Sequence, residues 1–467
     1  MRRKLLLNLT TLFTLIITAT TVTAQTKNEF SVKQAVDYGL KNSIQVKNAL
    51  LDIKNQQQVN REVTSAAFPQ ISASAGLTHY YDIPVQPIPD FISPQFYNIL
   101  TKNGVQNGNG QPITDPNHGV YPDLAFSFTL PWTSNIGVTL NQILFDGQVF
   151  VGLQAKNTVL NSFKKQAEVT QEQIKANVYK VYYQLVVAKK QQASIQANID
   201  NISKQLNDTK EIYKNGFAEK LDVDKITVQL NNLQTQKEKI ENQVSAGNAA
   251  LKMLIGMPQK EELILTDTLN EDELKQNILD ESYNYEDRKE FQLLSITTKM
   301  SQYNVKRYQL SKIPTLSGVA SYGKNAFGTD FDFYKGTWYT SSYVGVNLKI
   351  PIFTGFNTNS KIQEAKIAVE KSKNSLEQLK QSIDNDVVQS RENMKTALAT
   401  IDNQKQNIQL AESVFKSTQL KYAQGLGSNQ EMYDAQTQLE IAQNNYYSSL
   451  YDAIVAKISY LQAVGKL

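Results

Sequence analysis

Tyr213 to Leu230 reads YKNGFAEKLDVDKITVQL, and Tyr422 to Leu439 reads YAQGLGSNQEMYDAQTQL. Each begins Tyr-x-x-Gly, each has Gln-Leu starting thirteen positions after that glycine, and matched positions differ by 209. A glycine at a helix end admits the left-handed backbone that lets the chain reverse. Each stretch therefore reads as the turn between two helices, written twice in one chain.

The duplication extends outward from these turns. Gly137, Phe145 and Gly147 in GVTLNQILFDG recur 208 residues later as Gly345, Phe353 and Gly355 in GVNLKIPIFTG. Upstream, FPQISASAGL from Phe68 matches IPTLSGVASY from Ile313 at an offset of 245, so the first copy carries about 37 extra residues between these landmarks. Each half reads helix, strand, strand, long helix, turn, helix. The halves are assigned to residues 25–255 and 286–467, joined by a linker over 256–285. The extra residues fall near 82–132, which holds eight of the chain's twelve prolines and the run NGVQNGNGQP. Proline removes a helical donor and clashes with the preceding turn, so a long loop is expected there, with LAFSFTLPW as a strand extension.

The strand patterns have period two. Val344, Val346, Leu348, Ile350 and Ile352 alternate with Tyr343, Gly345, Asn347, Lys349 and Pro351. Ile71, Ala73, Ala75 and Leu77 alternate with small or polar residues. One face is apolar and the other is not, which fits either a half-buried soluble sheet or a membrane barrel wall. The helices discriminate. Ile362, Val369, Leu376 and Ile383 lie seven apart, as do Val387, Met394, Ile401, Ile408 and Phe415, with a four-residue stutter between the two runs. Such a stutter locally unwinds a left-handed coiled coil. About 65 residues without proline at 1.5 Å each reach roughly 100 Å, too long for a compact domain. The reading is an α+β membrane protein: a long coiled-coil α-helical tunnel plus four β-strands per chain. Four strands cannot close a barrel, and an open sheet in lipid leaves its edges unpaired, so the chain must oligomerise.

Composition narrows the classes. Arg2, Arg3 and Lys4, an apolar run and Val22-Thr23-Ala24 mark residues 1–24 as a secretory signal peptide. The chain has no cysteine, so disulfides, thiolate metal sites and a lipidated Cys are excluded. Two histidines are too few for a His-built metal cluster, so neither metal nor cofactor is expected. A net charge of +4 over 467 residues gives no basis for a nucleic-acid partner. GLGSNQ lacks the Lys-Ser/Thr of a phosphate-binding loop, and no nucleophile motif is present, so an enzyme is not expected.

With both turns in register with both strand pairs, and with the repeated Leu/Ile-Pro helix-to-strand junctions, the mature chain resembles the TolC-type outer-membrane efflux proteins of Gram-negative bacteria. The resemblance implies a homotrimer, with a 12-stranded transmembrane β-barrel in outer-membrane lipid and a helical tunnel in the periplasm. It implies a passive exit channel of a tripartite efflux or type I secretion system, with a periplasmic adaptor (membrane fusion) protein and an inner-membrane pump as partners. The tips that dock the adaptor would be Gly216-Phe217 and Gly425-Leu426; the other reading is plain helix breaking with a capping contact. A periplasmic gate would comprise Asp222, Tyr422, Glu431 and Asp434, since carboxylates crowded in a narrow pore favour cations; the other reading is solvated surface charge. Relatives carry an Arg two residues after the second glycine, where this chain has Gly427; Lys220 or Lys225 are the candidate substitutes. Trp132 and Trp338 both precede the second strand of a pair and fit a membrane-interface girdle. The competing function is an exported coiled-coil structural or adhesion protein without channel activity. The cargo is not legible.

Overall fold

The computed structural model describes residues 27–269, 274 and 282–467. The signal peptide lies outside the described residues, as does part of the 256–285 linker. In chain order the elements are β1 (Lys27–Phe30), α1 (Val32–Asn42), α2 (Ile44–Ser65), β2 (Gln70–His79), β3 (Gln86–Ile88), α3 (Ile92–Lys102), β4 (Leu124–Phe126) and β5 (Trp132–Phe145). Then come α4 (Gly147–Lys214), α5 (Lys220–Ile255), β6 (Glu262–Leu265), α6 (Lys289–Leu310), β7 (Thr315–Gly328), β8 (Tyr339–Lys349), α7 (Asn357–Ala423) and α8 (Asn429–Ala463). Two compact units result. One is helical and comprises the chain through Asn60, Ala155–Asn304 and Glu364–Leu467; the other carries the main sheet and comprises Arg61–Gln154 and Val305–Gln363.

In the helical unit the long helices α4 and α7, of 68 and 67 residues, each return as α5 and α8, of 36 and 35. Of the heptad residues of α7, Ile362, Val369, Ile383, Val387, Met394, Ile401 and Phe415 are buried, and Leu376 and Ile408 are half-buried. The stutter pair Ile383 and Val387 packs with Phe291 and Tyr460, and between them Asp384 accepts hydrogen bonds from Tyr283 Oη (2.8 Å) and Tyr285 Oη (3.0 Å). Ile195, Ile199, Ile202 and Leu206 of α4 close on Ile226, Leu233 and Ile240 of α5.

Three elements of this unit have no counterpart in the sequence expectations. β1 pairs in parallel with β6, and Ser31 caps α1 with a reciprocal bond to Gln34, the S-x-x-Q box. Tyr182, fully buried on α4, donates its hydroxyl to Phe30 O (2.8 Å) and accepts from Asp267 N (3.2 Å), fixing the small sheet to the long helix. The described part of the expected linker therefore contains a strand that builds the core.

In the sheet unit the order is β2-β5-β7-β8, antiparallel throughout. Residues directly opposite across such a pair share a face. Ile71 faces Leu140, Ala73 faces Val138, Val138 faces Tyr322, and Ala320 faces Val344, so the apolar rows of all four strands form one surface. The other surface carries Ser74 opposite Gly137, Gly137 opposite Gly323, and Ser321 opposite Tyr343. A Cβ on Gly137 or Gly323 would come within 3.3 Å of the partner backbone, so this pair lets two strands close up on the small-residue side. Glycine kinks and the bulge between Ile143 and Phe145 are devices that curve a sheet.

Two expectations fail here. The segment 82–132 is not all loop. It contains α3 and the two-stranded pair β3–β4, and Leu124–Phe126 pairs with Gln86–Ile88 instead of extending β5. Pro94 sits in the first turn of α3, where its missing N–H has no helical partner to lose; the next proline is Pro112. The fourth strand ends at Lys349, ahead of Pro351, so Ile350 and Ile352 lie beyond it.

Candidate functional site

The helix tips are built alike. At the first, Gly216 has φ 82°, its N–H donates to Tyr213 O (2.9 Å), and Phe217 N donates to Ile212 O (3.0 Å). At the second, Gly425 has φ 74°, its N–H donates to Tyr422 O (3.0 Å), and Leu426 N donates to Lys421 O (2.9 Å). Both are Schellman turns, which satisfy the last carbonyls of a helix. The usual hydrophobic contact of that motif leaves its apolar residue folded down on the helix. Here Phe217 is 85% exposed and Leu426 73%. The capping contact does not account for either side chain.

The four expected gate residues divide into two local groups. Asp222 accepts from Glu219 N (3.2 Å) at the start of α5. Glu431 lies in the first turn of α8, where its N–H donates to Ser428 Oγ (3.2 Å), and its carboxylate pairs with Lys421 at 3.7 Å. Asp434, one turn on, accepts from Gln430 Nε2 (3.0 Å). Tyr422 is half-buried at the end of α7. Among the described residues no hydrogen bond joins Asp222 to the other three. Among the described residues the ion pair to one of these four side chains comes from Lys421, not from Lys220 or Lys225. Ser428-x-x-Glu431 is a helix-start signature that the sequence carries openly. At Gly427 a Cβ would stand 3.1 Å from Tyr422 N, so the missing Arg also leaves a position with little room for a side chain.

Above the second tip the contact between hairpins is polar. Asn198 Nδ2 on α4 donates to Gln443 Oε1 on α8 (2.8 Å), and beside it, within α8, Gln436 Nε2 donates to Glu440 Oε1 (3.2 Å). Burial raises the Glu440 pKa above the ordinary value of 4.5, while its bond to Gln436 pulls the other way. Gln436 is 1% exposed and its Oε1 has no partner, and the buried Thr209 Oγ1 has none either. A buried unpaired polar group costs about 1–3 kcal/mol, so this joint is weaker than an apolar one.

In the sheet unit the apolar surface is uncovered. Ile71 is 69% exposed, Val344 86% and Val346 64%, while the short helical turn Phe331–Lys335 covers only the hairpin end of β5 and β7. Trp132 lies on this surface at the hairpin end, with its ring 4.2 Å from that of His79 and 5.0 Å from that of Phe331. Trp338 precedes β8 at the same end and donates Nε1–H to Tyr334 O (3.1 Å). Among the described residues no helix is long and apolar enough to cross a membrane, and no group of three His, Cys, Asp or Glu could hold a metal.

One unit thus holds an open antiparallel sheet with a bare apolar face, and the other is built from two long helical hairpins. Residues 288–466 match the family model "Outer membrane efflux protein". The chain is 24% identical over 338 residues to the outer membrane protein TolC of Vibrio cholerae, covering 71% of this chain and 76% of that one. Its fold matches the outer membrane protein VceC of Vibrio cholerae with a TM-score of 0.68 at 15% identity, over 93% of this chain and 96% of the other. It matches the CmeC outer membrane channel of Campylobacter jejuni with a TM-score of 0.70 at 14% identity, over 93% and 85%. Over residues 288–466 in sequence, and across most of the chain in fold, the chain is similar to outer-membrane efflux proteins of the TolC type.

Proposed function

We propose that three copies of this chain form an outer-membrane channel through which solutes leave a Gram-negative cell passively. The observation that carries the reading is the uncovered apolar face of the sheet, with Val344 86% exposed. Exposed apolar area costs about 25 cal/mol per Å² in water and nothing comparable in lipid. Strands β2 and β8 end the sheet with unpaired backbone groups, which a bilayer does not tolerate. Four strands fall short of the roughly eight that a closed barrel needs, and three copies supply twelve. Trp132 and Trp338 then mark one membrane interface.

The helical hairpins form the periplasmic tunnel. Phe217 and Leu426 dock on a periplasmic adaptor protein that links the channel to an inner-membrane pump, in a tripartite efflux or type I secretion system. Asp222, Tyr422, Glu431 and Asp434 close the periplasmic end, with Lys421 holding Glu431 where relatives use Arg. The energy belongs to the pump, and the chain performs no chemical step. Native mass and electron microscopy of the detergent-extracted protein test this. A three-fold particle with a detergent belt and a helical tube supports it. A monomer, or a soluble rod without a belt, refutes it and favours the structural coiled-coil reading.

A further inference from the structure

The small-residue face of the sheet is the surface a solute would meet, and it is almost without charge. Asn135 and Thr139 on β5, Ser321 and Asn325 on β7, and Ser341 on β8 carry neutral amides and hydroxyls. Lys349 is the exception. It closes β8 opposite Thr315, and because Leu348 faces Leu316 in the apolar row, Lys349 falls on the polar side. It is exposed, and no hydrogen bond or ion pair engages it among the described residues. The other charged residue of the four strands, Lys324, faces Ile136 and Thr340 in the apolar row, outside the bore. Two further charges near Lys349's end of the sheet are already engaged. Asp146 accepts from Gln148 N (2.7 Å) at the start of α4, and Lys312 Nζ donates to Asn359 Oδ1 (2.7 Å).

We infer that Lys349 sets the ionic selectivity of the barrel, favouring anions and anionic ends of amphiphiles over cations at the helix-proximal end of the bore. A neutral wall has little field of its own, so one lysine per chain, repeated around the barrel, dominates it. Rings of charged side chains select ions in pores. The charge acts over about one Debye length, roughly 10 Å at 0.1 M salt. This inference rests on the trimeric barrel proposed above.

The test is the reversal potential of the full-length protein in planar bilayers under a KCl gradient. Lys349→Gln should lower the chloride-to-potassium permeability ratio about two- to threefold, and Lys349→Glu further, with conductance retained. Lys324→Gln should leave the ratio unchanged. Because the chain has no cysteine, Lys349→Cys adds a single thiol, and a negatively charged methanethiosulfonate added to open channels should lower the ratio further. That reagent keeps the test sound if Lys349→Glu fails to insert. Channels that conduct but keep their ratio in Lys349→Gln and after thiol modification overturn the inference alone. An equal shift in Lys324→Gln overturns the assignment of faces. Wild-type protein that inserts no channels overturns the barrel, and the inference with it.

Discussion

Replacing Phe217 with Ala separates two readings of the same tip. The side chain is 85% exposed, so its removal takes away little packing, and surface substitutions of that kind stay within about 0.5 kcal/mol. The same exposure leaves most of the ring available to a partner. Fully burying a Phe side chain contributes about 1.5–3 kcal/mol, which puts its docking contribution near 2 kcal/mol per tip. At about 1.4 kcal/mol per decade this is roughly a thirtyfold loss of affinity per contact. Leu426→Ala, at 73% exposure, should behave alike with a somewhat smaller loss. The assay is binding of the detergent-extracted channel to its cognate periplasmic adaptor, read beside thermal unfolding of the same variants. Weaker binding at an unchanged melting temperature is the expected result. A lower melting temperature at unchanged affinity would refute the argument, because Phe217 would then be serving its own helix end against Ile212.

Val344→Lys places a charge in the apolar row and should cost about 2–4 kcal/mol near the bilayer midplane, depleting the outer-membrane fraction, whereas Asn347→Lys on the other face should be retained; equal recovery of both would contradict the lipid assignment. Glu440→Gln should raise the melting temperature at pH 7.5 and not at pH 4. Burial raises the folded pKa, so the unfolded chain gains from ionisation first, and the penalty on wild type grows as pH rises above 4.5; a pH-independent difference would exclude burial as its cause. Gly425→Ala meets no atom within 4 Å but holds φ at 74°, so a backbone penalty of about 1–2 kcal/mol should speed amide exchange over Tyr422–Leu426. Gly427→Arg should disturb the same amides through its Cβ, 3.1 Å from Tyr422 N, and unchanged exchange would show that the turn has room.

Periodic features were legible because burial enforces them over many residues. The seven-residue spacing from Ile362 to Phe415 is the buried stripe of α7, and the alternation at Val344–Leu348 is the bare face of the sheet. Short features were not. Lys27–Phe30 and Glu262–Leu265 pair across more than 230 residues with only four residues each, too few for a period to stand out. Helix α3 is masked by the density of prolines around it, although Pro94 stands in its first turn, where a proline is tolerated. At the tips the turn chemistry was written in Gly216 and Gly425. The partner of Glu431 was not: Lys421 is separated from it by the whole turn, and only the folded hairpin brings them to 3.7 Å.

The helical unit also carries apolar residues that its own heptads leave bare: Val388 is 62% exposed, Leu410 66% and Val414 47%, on the same helix whose other side buries Val387 and Met394. Lipid cannot be what covers them, because α7 around them carries Asp386, Arg391, Glu412 and Lys416, and burying such charges in hydrocarbon is costly. A second helical surface with its own polar rim can cover them, in the manner of a coiled-coil seam. Two units of different chemistry thus expose apolar surface independently, one suited to lipid and one to protein. The proposed closed ring of identical chains would cover both, helical surface against helical surface and sheet edge against sheet edge. A soluble coiled-coil rod would cover the helices and leave Ile71, Val344 and Val346 in water, so the bare sheet favours the proposed membrane assembly over the rod.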